Sequence, residues 1–439
     1  MVEPLRLGIA GLGTVGTGVL RLLEENRALV EARAGRPICV TAVSARDRAR
    51  DRGVDLSGYR WHDDPVALAS DERIDVVVEL IGGSDGDALA LARASLKGGK
   101  GLVTANKAMI AHHGMALAEA AHAGGAPLQF EAAVAGGIPV LGGLRDGAAA
   151  NAVQRIYGIL NGTCNFILTQ MESSGADFAD VLADAQRRGF AEADPTFDIE
   201  GVDAAHKLAI LAAIGFGTQL DFEGVACEGI SRIRSADIEQ ARALGYVVRL
   251  LGIADCDRGM GNGDAPSLLQ RVRPCLVPRG HPLSAVDGPT NAVVAEGNFS
   301  GRLLFQGAGA GAEPTASAVV ADIVEIARGG SAAPFSVPVE ALTKAARGRL
   351  GDRSGRSYMR FTVADRPGVL AEIAAAMRDA GVSIESLIQP AHPDKSDGEA
   401  LIAMVAHEGL EANVQAALQR LEGSDSLTAK PLFMPILSS

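Results

Sequence analysis

Aromatic side chains are scarce in this chain, with one Trp and four Tyr among 439 residues. No platform is left on which bases could stack. A formal net charge of -12 also leaves no basic surface to track phosphates, so no nucleic acid is expected as a partner. Cysteine is nearly as rare. The five thiols, Cys39, Cys164, Cys227, Cys256 and Cys275, are odd in number, widely spaced and never set as CxxC. That suits reduced cysteines in a cytoplasmic protein and suggests no metal cage. Long apolar runs are missing too. The strongest, residues 208–217, is about half of what a bilayer span needs. Met1-Val2-Glu3-Pro4 lacks the basic region and cleavable apolar segment of a signal peptide, so a soluble protein with no membrane partner is expected. What is present suits a folded enzyme: 47% hydrophobic and 21% charged residues supply real cores and are too balanced for disorder. The length implies about three domains.

The expected fold class is α/β. Short apolar runs at 5–10, 38–43, 74–80, 101–104 and 127–131 alternate with helical patterns such as 15–30 and 107–123, as in a Rossmann-type doubly wound parallel sheet. This first domain is assigned to residues 1–147, completed by a helix at about 312–330. Longer strands at 153–160, 246–254, 270–277 and 292–297 then predict an α+β domain over 148–306, with 258–266 as a Gly-rich hairpin loop. Residues 331–355, rich in Ala, Gly, Pro and Arg, read as a linker. The third domain, 356–439, has the order strand 358–364, helix 368–380, strand 383–389, strand 400–407, helix 410–421 and a terminal strand near 427–435. This is a ferredoxin-like βαββαβ pattern.

The first strand runs into Gly11-Leu12-Gly13-Thr14-Val15-Gly16 and then a helix. Gly11 permits the tight turn, Gly13 lets the backbone approach a pyrophosphate, and Gly16 lets helix pack on strand. The bland alternative is a merely tight turn. The second strand ends in Ser44-Ala45-Arg46 rather than in the acidic residue that favours NAD. Arg46 suits a 2′-phosphate and tilts the reading to NADP over NAD, the alternative for nearby Arg48 and Arg50 being a solvated basic face. Strand 101–104 ends in Thr104-Ala105-Asn106-Lys107, which places Lys107 beyond a carboxyl end, where ligands of parallel sheets bind. A cation at the positive end of a helix is electrostatically disfavoured, which argues for function over a solvated lysine.

The densest polar cluster is Glu192-Ala193-Asp194-Pro195-Thr196-Phe197-Asp198-Ile199-Glu200-Gly201-Val202-Asp203-Ala204-Ala205-His206-Lys207, leading into an apolar helix. Asp203 and Lys207, at i,i+4, share a helix face that is too apolar beyond them to be surface. The set suits an amino-acid ammonium plus a proton shuttle, the alternative being an ordinary ion pair. His206 points elsewhere and reads as structural. Glu131 through Pro139 offers a carboxylate and carbonyls that could surround a monovalent cation. Cys164, in Asn161-Gly162-Thr163-Cys164, has no adjacent activating base and reads as packing.

Together, the glycine loop 11–16, Thr104 to Lys107, Glu131 to Pro139, Asn161-Gly162-Thr163, Ala191 to Lys207 and Gly307 to Gly311 closely resemble the homoserine dehydrogenases, in order and spacing, over residues 5 to about 330. The resemblance implies reversible oxidation of L-homoserine to L-aspartate 4-semialdehyde with NAD(P), toward threonine, methionine and isoleucine. It implies Lys207 as proton donor and acceptor, Lys107 and Asp203 beside it, and Glu192, Asp198, Asp203 and Lys107 as substrate-binding residues. Cofactor contacts are implied at Gly11, Gly13, Thr14, Val15, Gly16, Arg46, Thr104, Lys107 and Gly311. A sodium-like ion is implied at Glu131, Val134, Gly136 and Ile138, the last three through carbonyls. An unperturbed lysine titrates at ~10.4, so oxidation is expected to run faster in alkaline solution.

The tail Asp365-Arg366-Pro367-Gly368-Val369-Leu370-Ala371-Glu372-Ile373 resembles an ACT domain. Its first turn implies L-threonine as effector, held near Asp365, Gly368, Val369 and Leu370; the alternative is an assembly module whose sheet edges pair. A homodimer or homotetramer is expected. Two rivals remain. A semialdehyde-forming acyl-phosphate dehydrogenase requires a reactive thiol, and a metabolite sensor leaves the run from Glu192 to Lys207 without purpose.

Overall fold

Val-, Ile- and Leu-rich runs too short for a helix and apolar on both faces are stable only as strands covered from both sides. In the computed structural model, which describes residues 2–258, 265–330, 333–389 and 398–438, such runs supply most of the six strands of one parallel sheet. They are β1 (Leu5–Ala10), β2 (Ile38–Ser44), β3 (Arg60–His62), β4 (Val76–Glu79), β5 (Gly101–Thr104) and β6 (Leu128–Gln129), in the order β3-β2-β1-β4-β5-β6. Strand order reverses at β1, which opens a crevice beyond its carboxyl end. The three residues of β3, Arg60-Trp61-His62, form no apolar run and escape the sequence pattern.

The helix expected over 15–30 is two helices, Thr14–Glu25 and Arg27–Ala34, divided at Asn26. Asn competes for local backbone hydrogen bonds and favours helix ends. Helix Ala312–Ala327, distant in sequence, packs against Thr14–Glu25. A Cβ on Gly18 would lie 3.1 Å from the Ala312 carbonyl oxygen, so the two helices meet backbone to backbone. Val319 and Ile323 join Leu7, Ile9 and Val19 in one apolar cluster.

Longer strands form the second, mixed sheet: β7 (Val153–Ile159), β8 (Val225–Cys227), β9 (Tyr246–Asp257), β10 (Ser267–Pro278), β11 (Thr290–Gly297), β12 (Gly301–Ala308) and β13 (Ala346–Arg347). Its order is β12-β11-β7-β9-β10-β13, with β8 also on β10. Helices Gly162–Ser174 and Val202–Phe216 lie on it. Most of the expected 258–266 loop, residues 259–264, lies outside the described residues.

The described part of the stretch read as a linker is not free chain. Phe335 is buried with its ring 5.4 Å from that of Phe130, Ser336 Oγ donates to the Ile214 carbonyl at 2.8 Å, and β13 pairs with β10. A composition without periodicity excludes a helix but not pairing along an open sheet edge.

The last sheet is antiparallel, built from β14 (Ser354–Ala364), β15 (Ile384–Ile388), β16 (Glu399–Leu410) and β17 (Leu432–Pro435) in the order β15-β16-β14-β17. Helices Val369–Asp379 and Glu411–Leu421 share its core. The sheet docks on the second domain through charge as well as apolar contact. Arg273 on β10 meets Glu411 at 2.6 Å and Glu228 at 3.2 Å. Asp237, fully buried, takes Arg360 at 2.9 Å and the Tyr358 hydroxyl at 3.1 Å. Among the described residues no helix is long and apolar enough to cross a membrane.

Removing one partner from a buried ion pair strands the other charge, so Arg360→Met is expected to destabilise the protein by about 3–5 kcal/mol in chemical denaturation. Loss of less than about 1 kcal/mol, the scale of an exposed pair, would show that Asp237 is compensated without it.

Candidate active site

Three glycines at the end of β1 divide the work of one loop. Gly11 has φ 98°, and a Cβ there would lie 2.4 Å from the Leu80 carbonyl oxygen. A Cβ on Gly16 would lie 2.0 Å from the Gly11 carbonyl oxygen. Gly13, by contrast, faces open space at the start of helix Thr14–Glu25, where unpaired N–H groups favour an anion. The loop therefore fits a dinucleotide pyrophosphate. Gly11 and Gly13 line a cavity of about 340 Å³ with Ser44, Arg46, Arg50 and Arg52. Arg46 is exposed there, whereas Arg52 donates to the Leu12 carbonyl and sits with Arg48 over the Trp61 ring.

A larger cavity, about 1060 Å³, lies where the parallel sheet meets the second domain. Val15, Lys107, Gly136, Glu192, Asp198, Asp203, Lys207 and Gly311 all reach its wall, so the fold gathers residues nearly 300 positions apart. Thr14 is exposed at the mouth of the first helix. Glu192 and Asp194 form the solvent-facing side with Phe190 and Phe197.

Asp203 is the centre of the charge arrangement. Its Oδ2 accepts from Lys207 Nζ at 2.8 Å, and its Oδ1 lies 3.0 Å from Lys107 Nζ. Burial works against its ionisation. The Lys207 and Lys107 charges, with hydrogen bonds from Lys207 and Asn161, outweigh burial and hold the carboxyl well below the ordinary carboxylate range. Lys107 thus tolerates the positive end of its helix because a carboxylate from another helix answers it. Lys207 also donates to the Leu160 carbonyl at 2.7 Å, which leaves one of an ammonium's three N–H groups for the cavity.

Several expected residues are placed differently. Thr104 is not on either cavity wall: its hydroxyl is buried and donates to Glu79 at 2.6 Å, because both strands carry their polar end groups inward. Gly16 lies beneath the loop rather than on it. The Glu131 carboxylate accepts the N–H groups of Leu141 and Gly142 at 2.8 and 2.7 Å. Ile138 gives its carbonyl to Val140 N at 2.8 Å.

Among the described residues, no hydrogen bond ends on the carbonyls of Val134 or Gly136, in a turn where Ala135 and Gly136 both take positive φ, 57° and 53°. An all-oxygen set of this kind fits a hard monovalent ion rather than a transition metal, with Glu131 as nearby charge rather than as side-chain ligand. No group of three or more His, Cys, Asp or Glu able to hold a metal occurs among the described residues.

In the ACT-like turn, Asp365, Gly368 and Leu370 are exposed, but the Val369 side chain belongs to the core beneath. Cys164 is buried, its Sγ donating to the Asp198 carbonyl at 3.1 Å, and burial pushes the thiol well up. It cannot supply the thiolate that the acyl-phosphate chemistry needs.

Sequence reasoning passed over Asn161 and Asn291. Asn161 Nδ2 donates to Asp198 at 2.8 Å and Asp203 at 2.9 Å, and Asn291 Nδ2 donates to the Leu160 carbonyl at 3.0 Å. Asn in a Gly-containing turn looks like ordinary turn chemistry; only the N-cap pattern of Asn161 before a helix was a signal.

His206 is buried beside the site, its ring 4.4 Å from that of Phe222 and 5.2 Å from that of His112. Neither ring nitrogen has a hydrogen-bond partner, and burial, then the His112 charge, lowers its pKa to about 4. The folded state thus holds the ring neutral while the unfolded chain would protonate it near 6.5, so stability is full above that pH and falls as pH drops toward 4. His206→Phe is expected to flatten the fall in melting temperature between pH 6.5 and 4; an unchanged slope would assign the acid sensitivity to other groups.

Known proteins resemble this chain along nearly its whole length. Residues 11–131 match the homoserine dehydrogenase NAD-binding-domain model, 139–324 the homoserine dehydrogenase model, and 357–423 the ACT domain model. The homoserine dehydrogenase of Pseudomonas aeruginosa is 42% identical, with 96% of this chain and 97% of that protein covered. That of Corynebacterium glutamicum is 41% identical, with 98% and 94% covered. A homoserine dehydrogenase structure from Thiobacillus denitrificans superposes with a TM-score of 0.90 at 41% identity, covering 99% of each chain. A hyperthermophilic archaeal homoserine dehydrogenase mutant in complex with NADPH matches at 26% identity and a TM-score of 0.62, over 74% of this chain and 97% of that one. The chain belongs to the homoserine dehydrogenase family, oxidoreductases that act on a CH–OH group, and carries a C-terminal ACT domain.

Proposed function

We propose that this enzyme oxidises L-homoserine reversibly to L-aspartate 4-semialdehyde in the cytoplasm, on the route to threonine, methionine and isoleucine, with Lys207 as the proton carrier. The observation that carries the reading is the position of Lys207 on the cavity wall, hydrogen-bonded to Asp203 and Leu160 with one donor position left toward the cavity. A bound nicotinamide supplies hydride acceptance from the carbinol carbon and hydride return. In oxidation the neutral amine of Lys207 takes the hydroxyl proton; in reduction its ammonium gives the proton back. Asp203 keeps the amine oriented, and Lys107 places substrate against the cofactor side. Asp198 and Glu192 receive the substrate's ammonium.

The cofactor reading is NADP over NAD, supported by exposed Arg46 at the end of β2, where no carboxylate faces the ribose position from that strand. A monovalent ion, sodium by preference, would be held by the Val134 and Gly136 carbonyls. It would brace the turn against Gly309, whose carbonyl carbon lies 2.6 Å from where a Gly136 Cβ would stand.

L-Threonine is the proposed effector of the ACT domain, in an assembly of two or four chains. Support for coupling comes from contiguous contacts. Glu411 holds Arg273, Arg273 holds Glu228, and two residues on, Ile230 N donates to the Ile199 carbonyl beside Asp198.

Lys207→Ala is expected to lower kcat for homoserine oxidation at alkaline pH by about 10²–10⁴ with either cofactor. Normal kcat would sink the assignment of the proton to Lys207. The wild-type enzyme should turn over faster with NADP than with NAD and slow when threonine is added. A chain lacking residues 356–439 that is still inhibited would place the effector outside the ACT domain.

A further inference from the structure

Leu160 and Asn161, adjacent in sequence at the end of β7, touch both halves of the proposed proton device. The Leu160 carbonyl accepts from Lys207 Nζ at 2.7 Å. Asn161, buried, uses every part of its amide. Oδ1 accepts from Cys164 N at 2.8 Å and so caps helix Gly162–Ser174. One Nδ2 hydrogen goes to Asp198 Oδ1 at 2.8 Å and the other to Asp203 Oδ2 at 2.9 Å. Both donors of a carboxamide are then spent, and a flipped amide would set its oxygen against two carboxylates, so one orientation is favoured.

The other donors to these carboxylates cannot do the same work. Thr163 Oγ1 stands 3.1 Å from Asp198 Oδ2 and 3.0 Å from the Phe190 carbonyl, and its single hydrogen serves one at a time. Asp203 otherwise meets only cations among the described residues: Lys107, from the helix of the nucleotide-binding domain, and Lys207, whose charge changes in each proposed turnover. Asn161 is the neutral donor to Asp203 that stays the same in both states.

We infer that Asn161 is a positioning residue that holds Asp198 and Asp203 in register with Lys207 while the proton moves. The inference rests on the reading of Lys207 as proton carrier given above. With Asn161 in place, the substrate-binding carboxylate and the carboxylate that orients the amine keep a fixed separation. Without it, each can swing toward whichever cation is charged.

The test separates positioning from capping. Asn161→Ser and Asn161→Thr both keep a good helix N-cap, but neither offers two N–H groups to two carboxylates; Asn161→Ala loses cap and donors together. The Ser and Thr variants are expected to melt within a few degrees of wild type and to keep the KM for the nicotinamide cofactor. Their kcat/KM for homoserine should fall about a hundredfold, the scale for small misplacement of reacting groups. Wild-type kcat and homoserine KM in either capping variant would overturn the inference, as would activity that merely tracks melting temperature across Ser, Thr and Ala. Lys207→Met serves as the control. If it retains turnover, the proton reading fails; if it is inactive while Asn161→Ser is normal, the positioning role alone fails.

Discussion

A buried carboxylate must be answered by charge or it will not stay ionised, and Asp203 is answered from two directions. Lys207 comes from its own helix, one turn on, and Lys107 from the start of the helix that follows β5. The interaction therefore fastens the nucleotide-binding sheet to the second domain on the wall of their shared cavity. Everything else about the site is arranged around that anchor. Asn161 reaches it from β7, the Leu160 carbonyl takes the lysine's second hydrogen, and Asn291 backs the same carbonyl from β11.

Backbone as well as side chains shapes the two cavities. Gly11, Gly13 and Gly16 let a helix end come within reach of a pyrophosphate, while Gly136 and Gly309 let two further loops touch main chain to main chain. The side chains around Asp203 come mainly from the second domain, with Lys107 reaching in from the first, while the first domain's loop is built on glycines. Neither half is a complete site alone. The loop Gly307 to Gly311 leads straight into the helix that returns to the first domain, so the chain crosses the cavity twice.

The ACT domain is attached by buried ion pairs as well. Its buried pairs, Arg360 with Asp237 and Glu411 with Arg273, cost desolvation and yield specificity of docking more than raw stability. Continuous apolar contact across β10 and β17 adds to them. The chain between the domains is drawn into this interface, which is why a stretch with a linker's composition contains a buried Phe335 and a paired β13.

By itself the sequence determined most of the elements and the residue types gathered in the site. Apolar periodicity marked β1, β5 and β7 to within a residue, the glycine spacing marked the cofactor loop, and the i,i+4 spacing of Asp203 and Lys207 put them on one face. These are local properties, set by φ/ψ preference and by which side of an element must leave water. Tertiary structure decided what each polar group touches. It set Lys107 against Asp203 across 96 positions, turned Thr104 and Glu131 inward to Glu79 and the 141–142 amides, buried Val369 beneath its turn, and brought Asn161 between two carboxylates. The reason is physical. A hydrogen bond is fixed by distances of a few tenths of an ångström between groups far apart in the chain, and no pattern along one strand or helix carries that information.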